Sequence, residues 1–198
     1  MKIIGLVGKK ESGKTTLAQM INKWIPKNAN CYFLQFAGIL KTMILKAKIC
    51  DEEELYFHKT AFPREMMQKI GTNIIREQID KNFFCKKMIK ELLELAKRDH
   101  PFCENTVVII DDIRFENEAA LIKDVGGVLF RIVRPNWGDP DEHRSETEMD
   151  KIATSVTIFN DSGLENLYQA GKNIAVFISA FRNITSGDLL NADPYDRF

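Results

Sequence analysis

Hydrophobic positions along this chain switch repeatedly between a tight, strand-like spacing and the wider spacing of a helix face. "KIIGLV" (2 to 7) is a short β-rich run, and "TTLAQMINKWI" (15 to 25) puts Leu17, Met20, Ile21 and Trp24 on one helical side. "CYFLQF" (31 to 36) reads as a second buried strand, and "ILKTMILKAKI" (39 to 49) returns to helical spacing. Residues 62 to 99 read as two helices, the second with Phe84, Met88, Leu92 and Leu95 on one face. "TVVII" (106 to 110) is apolar on both faces, as in a parallel sheet covered by helices. "FENEAALIKDVGG" is a helix that closes at Gly126 or Gly127, where a left-handed residue is commonly needed. "VLFRIV" (128 to 133) and "SVTIF" (155 to 159) complete five strands, and a last helix covers about 163 to 182. The alternation predicts a three-layer α/β/α fold around a mainly parallel five-stranded sheet.

Two segments fall outside this rhythm. "RPNWGDPDEHRSETEMD" is a polar excursion that adds little to a core and predicts a small lid over about 134 to 150. "TSGDLLNADPYDRF" (185 to 198) is a polar tail whose packing the pattern leaves open. A single domain over 1 to 184 is expected, since 198 residues with 44% hydrophobic composition bury one proper core.

Charge narrows the partners. The 28 basic and 28 acidic residues cancel, so no general affinity for nucleic acid or an anionic membrane is expected, and any phosphate binding must be local. Cys31, Cys50, Cys85 and Cys103 lie far apart with no C-x-x-C pair, the pattern of free thiols in a reducing compartment. No apolar run approaches the roughly 20 residues of a membrane span, so a cytoplasmic protein is expected.

Between the first strand and the first helix stands "GKKESGKT", which satisfies G-x-x-x-x-G-K-[ST] from Gly8 to Thr15 in the strand-loop-helix context the motif requires. Glycines let consecutive backbone N–H groups face one phosphate, and the following helix adds the positive end of its dipole. Gly8, Lys9, Glu11, Ser12, Gly13, Lys14, Thr15 and Thr16 are the expected contacts of a nucleoside triphosphate. Lys14 would reach the β and γ phosphates and Thr15 would offer its hydroxyl to Mg2+. "VVIIDDIRF" ends an apolar strand in Asp111 and Asp112, which ligand placement in such folds puts beside the loop. Neighbouring strand residues point to opposite faces, so one of the two is well aimed. Either acid could hold Mg2+ through water, and Asp112, close before a helix-like run, has helix capping as its alternative role.

The reaction must then be chosen. N-K-x-D, the common guanine reader, is absent, and a motor ATPase needs a larger chain or partner subunits. A kinase acting on a small phosphorylated acceptor needs extra cations to bring two anions together and a lid to exclude water. Lys41, Arg64, Arg76 and Arg114 lie in segments that should surround an acceptor, while Arg131, Arg134 and Arg144 lie on or near the excursion.

Taken in order, "GKKESGKTT", "FAGILK", "MQKIGTNIIREQID", "VVIIDDIRFENEA", "RIVRP", "HRSETEMD" and "IFNDSG" resemble the phage-type deoxynucleoside monophosphate kinases, within the P-loop nucleotide kinases. The resemblance covers about residues 1 to 170. It implies a P-loop kinase fold, with ATP and Mg2+, and transfer of the γ-phosphoryl group to a dNMP. It makes Lys14, Arg76, Arg114 and Asp112 the catalytic set, and Lys41, Arg64, Gln68, Arg76, Arg114 and Glu146 the acceptor contacts. Arg131, Arg134 and Arg144 become lid cations, and a viral or phage origin follows. The partners implied are small molecules, with a homodimer left open. "FFCKK" (83 to 87) also suits a P-loop phosphomevalonate kinase, and a non-transferring ATP-binding module is the alternative from another class.

Overall fold

A computed structural model describes residues 1–56, 61–99, 105–135 and 148–192, without the side chains of residues 61–64. Five parallel strands lie in the order β2-β3-β1-β4-β5: β1 Lys2–Val7, β2 Asn30–Leu34, β3 Thr106–Ile113, β4 Val128–Val133 and β5 Val156–Phe159. Helices α1 Lys14–Trp24, α2 Phe36–Lys46, α3 Glu52–Tyr56, α4 Ala61–Gln68, α5 Phe83–Arg98, α6 Glu116–Asp124, α7 Leu164–Ser179 and α8 Ser186–Asn191 surround the sheet. A π-helical segment, Lys69–Ile79, runs on from α4.

Period-2 alternation along the strands splits the core into two layers. Ile4 and Leu6 of β1 with Val107 and Ile109 of β3 pack on Leu17 and Ile21 of α1 and Leu167 and Ile174 of α7. Ile3 and Val7 with Val108 and Ile110 face Phe36 and Leu40 of α2, Met88 and Leu92 of α5, and Ile122 of α6. Both faces of β1 and β3 are therefore covered, as the unbroken apolar runs in their sequences require. On the first side α7 crosses α1 closely: a Cβ at Gly171 would stand 2.7 Å from Met20 Cβ and 2.8 Å from its carbonyl carbon.

β1 is the central strand, with β3 on one side and β4 on the other. The loop leaving it thus emerges where the direction of winding reverses, the usual ligand position in an open parallel sheet. The register of β3 slips here. Gly5 pairs with Ile110 but Val7 with Ile113, so β3 spends one extra residue around Asp111 and Asp112. Such bulges re-aim side chains next to functional sites.

Two boundaries differ from the expectation for physical reasons. α2 starts at Phe36, three residues earlier than the apolar spacing indicates, because the Asp112 carboxylate accepts its first amides. The tail contains α8, capped by Thr185 and Asp188 in a reciprocal box and burying Leu189 against the α2-α5-α6 layer.

The opposite end of the sheet is closed by one carboxylate. Asp99, buried at the end of α5, accepts hydrogen bonds from Thr106 Oγ1 (2.7 Å), Tyr32 OH (3.0 Å) and Asn30 Nδ2 (3.3 Å). Burial raises its pKa, but those three bonds and nearby Arg98 outweigh it, and the net shift is downward. A depressed folded-state pKa contributes stability that is present above the unfolded value of about 3.9 and lost as pH falls through the folded value. Asp99→Asn should therefore be destabilised relative to the parent at neutral pH, with the gap closing as pH falls below about 4. Urea unfolding midpoints between pH 2 and 7 read this directly, and a gap independent of pH would refute it.

Candidate active site

The phosphate loop is shaped by its glycines. A Cβ on Gly8 would lie 2.5 Å from the Ile132 carbonyl oxygen of β4, and Gly13 holds φ 103 as it enters α1. Glu11 also takes a positive φ of 61, so the loop turns left-handed twice within three residues. Lys14 Nζ donates to the carbonyls of Gly8 (2.6 Å) and Lys9 (2.7 Å) and spans the curl. Burial first, and then the nearby Arg114, lower the Lys14 pKa to about 8 against the opposing pull of Asp111 and Asp112. Ser12 Oγ is buried without a hydrogen-bond partner among the described residues.

Beyond the loop the strand-end acids divide by face. Asp111 shares the α1 side with Val107 and Ile109; its Oδ2 accepts from Thr15 Oγ1 at 2.8 Å and its Oδ1 from Gln35 Nε2 at 2.7 Å. Asp112 turns the other way, and its two oxygens accept the amides of Phe36 (2.9 Å) and Ala37 (2.7 Å). Burial and the Glu118 charge push Asp112 up to about 7, despite those two bonds. Of the two acids, Asp111 meets the Thr15 hydroxyl, while Asp112, the one carried into the expected metal set with Thr15, holds the start of α2.

The other expected residues separate into those brought together and those placed elsewhere. Lys41 stands over the Tyr56 ring at 4.2 Å; burial lowers its pKa and Asp112 opposes the shift, so it belongs to the same cluster. Arg114 follows β3 and acts electrostatically on Lys14. Arg76 comes in from the π-helical segment, its guanidinium held between the rings of Phe84 (4.4 Å) and Phe115 (4.1 Å). Its Nη2 pairs with Glu118 Oε1 at 2.5 Å.

Arg131 is corrected too. It lies inside β4, and its Nη2 donates to the carbonyls of Met149 (2.9 Å) and Ile152 (2.6 Å), anchoring the returning end of the excursion where a lid cation was expected. Lys9, at the near end of the loop, reaches Asp150 in the same returning turn at 3.2 Å. Gln68 ends α4 partly buried, Thr16 lies in the first turn of α1, and Arg134 follows β4 directly. The Arg64 side chain, Arg144, Glu146 and most of the lid lie outside the described residues.

Three further residues complete the site; Gln35 and Glu118 were not singled out for it in the sequence, and Asn160 was only as part of the "IFNDSG" segment. Gln35 holds Asp111, Glu118 holds Arg76, and Asn160 of the "FNDSG" loop donates from Nδ2 to the Ser12 carbonyl at 3.0 Å. Asn160 thereby ties the loop after β5 to the phosphate loop. "FFCKK" opens α5, with Phe84 and Cys85 each 2% exposed, so its aromatic character is spent in the core.

A family model described as deoxynucleotide monophosphate kinase matches residues 50–170. The chain belongs to that family. A protein of Acanthamoeba polyphaga mimivirus, by name a deoxynucleotide monophosphate kinase, is 31% identical over 190 residues, spanning 85% of this chain and 93% of its own. Among solved structures, the APS kinase of Mycobacterium tuberculosis aligns at TM-score 0.47 and 13% identity over 90% of this chain and 97% of that one. Shikimate kinase of Aquifex aeolicus aligns at 0.46 and 15% identity over 90% and 98%. Neither likeness is close enough to carry a conclusion about function. The family match does carry one, because it covers the segments that supply Arg76, Asp111, Arg114 and Asn160. Among the described residues, no helix is long and apolar enough to cross a membrane.

Proposed function

We propose that this deoxynucleotide monophosphate kinase family member transfers the γ-phosphoryl group of ATP to the 5′-phosphate of a deoxynucleoside monophosphate, giving the diphosphate and ADP. The observation that carries the reading is convergence where the phosphate loop leaves the central strand: Lys14 stands within electrostatic reach of Arg114, Asp111 and Asp112, and Lys41 within reach of Asp112. Phosphoryl transfer needs positioning and charge neutralisation more than a strong base. An acceptor phosphate is already a nucleophile at neutral pH, and the cluster offers cations to hold it without any general base.

The residues present fit Mg2+ in the manner of such kinases. Thr15 Oγ1 and Asp111 stand 2.8 Å apart at the head of α1, a hydroxyl and a carboxylate facing one point. Among the described residues there is no cluster of three or more metal-binding side chains, and none is needed for an ion that keeps several waters and is bound through one or two protein groups plus substrate phosphates. Bound there, Mg2+ would neutralise charge on the β and γ phosphates. Gly8 to Thr16 form the cradle, Lys14 exchanges its two loop carbonyls for phosphate oxygens, and Arg114 and Lys41 face the acceptor from the other side. Arg134, with Arg144 and Glu146 of the lid, would close over the bound nucleotides.

The family match over residues 50–170 favours the nucleotide over the phosphomevalonate alternative, and Phe84 and Cys85 of its "FFCKK" signal lie in the core. A coupled ADP-release assay with ATP and Mg2+ tests the reading against a panel of deoxy- and ribonucleoside monophosphates. Turnover should depend on at least one deoxynucleotide. Hydrolysis indifferent to every acceptor would make the chain an ATP-binding module instead.

A further inference from the structure

We propose that Glu118 is a positioning residue for the transfer, a single buried carboxylate that aims Arg76 and Arg114 together at the acceptor side of the site. The inference rests on the kinase reading above. Glu118 lies in the first turn of α6, 1% exposed. Its Oε1 accepts from Arg76 Nη2 at 2.5 Å, and its Oε2 accepts the amides of Arg114 at 2.9 Å and Phe115 at 3.1 Å.

A helix cap explains only part of this. A glutamate at the third helical position is expected to bond back to the amide of the capping residue, here Phe115, and that bond alone satisfies the motif. The Arg114 amide and the guanidinium are additional. Burying a carboxylate with a guanidinium gives up hydration worth several kcal/mol per ion, and apolar residues of equal volume often stabilise a fold as well or better. Stability is therefore a weak reason for this pair to exist.

What the pair does to its neighbours points to function. The guanidinium of Arg76 is clamped between Phe84 and Phe115 with its side chain 10% exposed, so its plane has no freedom to turn. In that plane Nη1 is buried and has no hydrogen-bond partner among the described residues. A buried cationic donor left unpaired is expensive, and a catalytic or ion-binding role is one of the few reasons for a fold to retain it. On its other oxygen Glu118 holds the backbone of the residue whose side chain acts on Lys14 of the phosphate loop. One carboxylate thus links the π-helical segment that carries Arg76 to the strand end that carries Arg114. The acceptor phosphate is the anion that would lie between them.

Glu118→Gln separates the two roles. Glutamine keeps one oxygen for the Phe115 and Arg114 amides, preserving the cap, but has no charge for Arg76 and turns an NH2 toward the guanidinium. The acceptor-dependent kcat/KM should fall by about tenfold or more, the KM for ATP should move by less than about twofold, and the melting temperature should shift by only a few degrees. Arg76→Gln should show the same split, and the double variant should be no worse than the poorer single one, since both changes remove one interaction. Wild-type kinetics in Glu118→Gln, or a fall in melting temperature alone, would reduce the residue to a helix cap and overturn the inference. Should that variant not fold, Arg76→Lys carries the test. It keeps an ion pair to Glu118 but loses the second donor, so a raised dNMP KM at unchanged ATP KM supports the inference, and unchanged acceptor kinetics overturns it. An inactive wild type would remove the kinase reading and this inference together; an active wild type with an unimpaired Glu118→Gln removes this inference alone.

Discussion

Lys14→Ala should lose phosphoryl transfer by about a thousandfold or more while the protein stays folded, a loss on the order of 4 kcal/mol in transition-state stabilisation. The size follows from what the ammonium faces. Charge on the transferring group passes between β and γ oxygens, and a fixed cation beside both is worth far more in a water-poor site than in solvent. The modest structural cost follows from what Lys14 touches without nucleotide. Among the described residues its Nζ bonds only to the carbonyls of Gly8 and Lys9, which can turn to water when the side chain is removed. Initial rates across ATP concentrations, read with a thermal melt, separate the outcomes: a folded variant keeping more than about a tenth of the parent turnover would refute the role of the loop. Burial has already stripped water from the Lys14 ammonium, the main reason its pKa falls to about 8, so less hydration is left to lose when phosphate arrives.

How much of this was legible in the sequence depends on whether the signal was local. The glycine loop was legible because its residues, its strand and its helix are contiguous, and the five strands were legible because each is a short apolar run bounded by turns. Asp111 and Asp112 were legible as a pair but not as individuals. Strand alternation says that they part company, yet β3 is apolar on both faces, so nothing along the chain marks which face meets α1. Once Val107 and Ile109 are seen against Leu17 and Ile21, the same alternation assigns Asp111 to Thr15. The bulge that finishes the assignment depends on pairing with β1, about a hundred residues away in sequence, and leaves no local trace.

Arg76 and Glu118 show the same limit from the other side. Each reads as an ordinary charged residue on a helix, one a candidate cation and the other a first-turn acid. Only packing brings them together across 42 positions and sets two phenylalanine rings around the guanidinium. Arg131, expected as a lid cation, sits on a strand beside the excursion, and its contacts are to backbone at the excursion's base. In each case the residue type announced charge, while partner and direction came from tertiary structure.

The division between the two aspartates carries the second large effect. Asp111→Asn should lower kcat by about a hundredfold and raise the Mg2+ concentration for half-maximal rate by at least about tenfold, each decade corresponding to about 1.4 kcal/mol. Asparagine is nearly the same size and can still accept from Thr15 or Gln35, so the fold should persist and the loss should follow the missing charge. Asp112→Asn is the internal comparison. Its single remaining oxygen can serve only one of the Phe36 and Ala37 amides, which predicts a stability loss on the order of 1 to 2 kcal/mol. Its Mg2+ dependence should remain that of the parent. Titrating Mg2+ at saturating ATP for both variants decides between the acids: a shift confined to Asp111→Asn places the ion beside Thr15, and a shift confined to Asp112→Asn would return that role to the residue next along the strand.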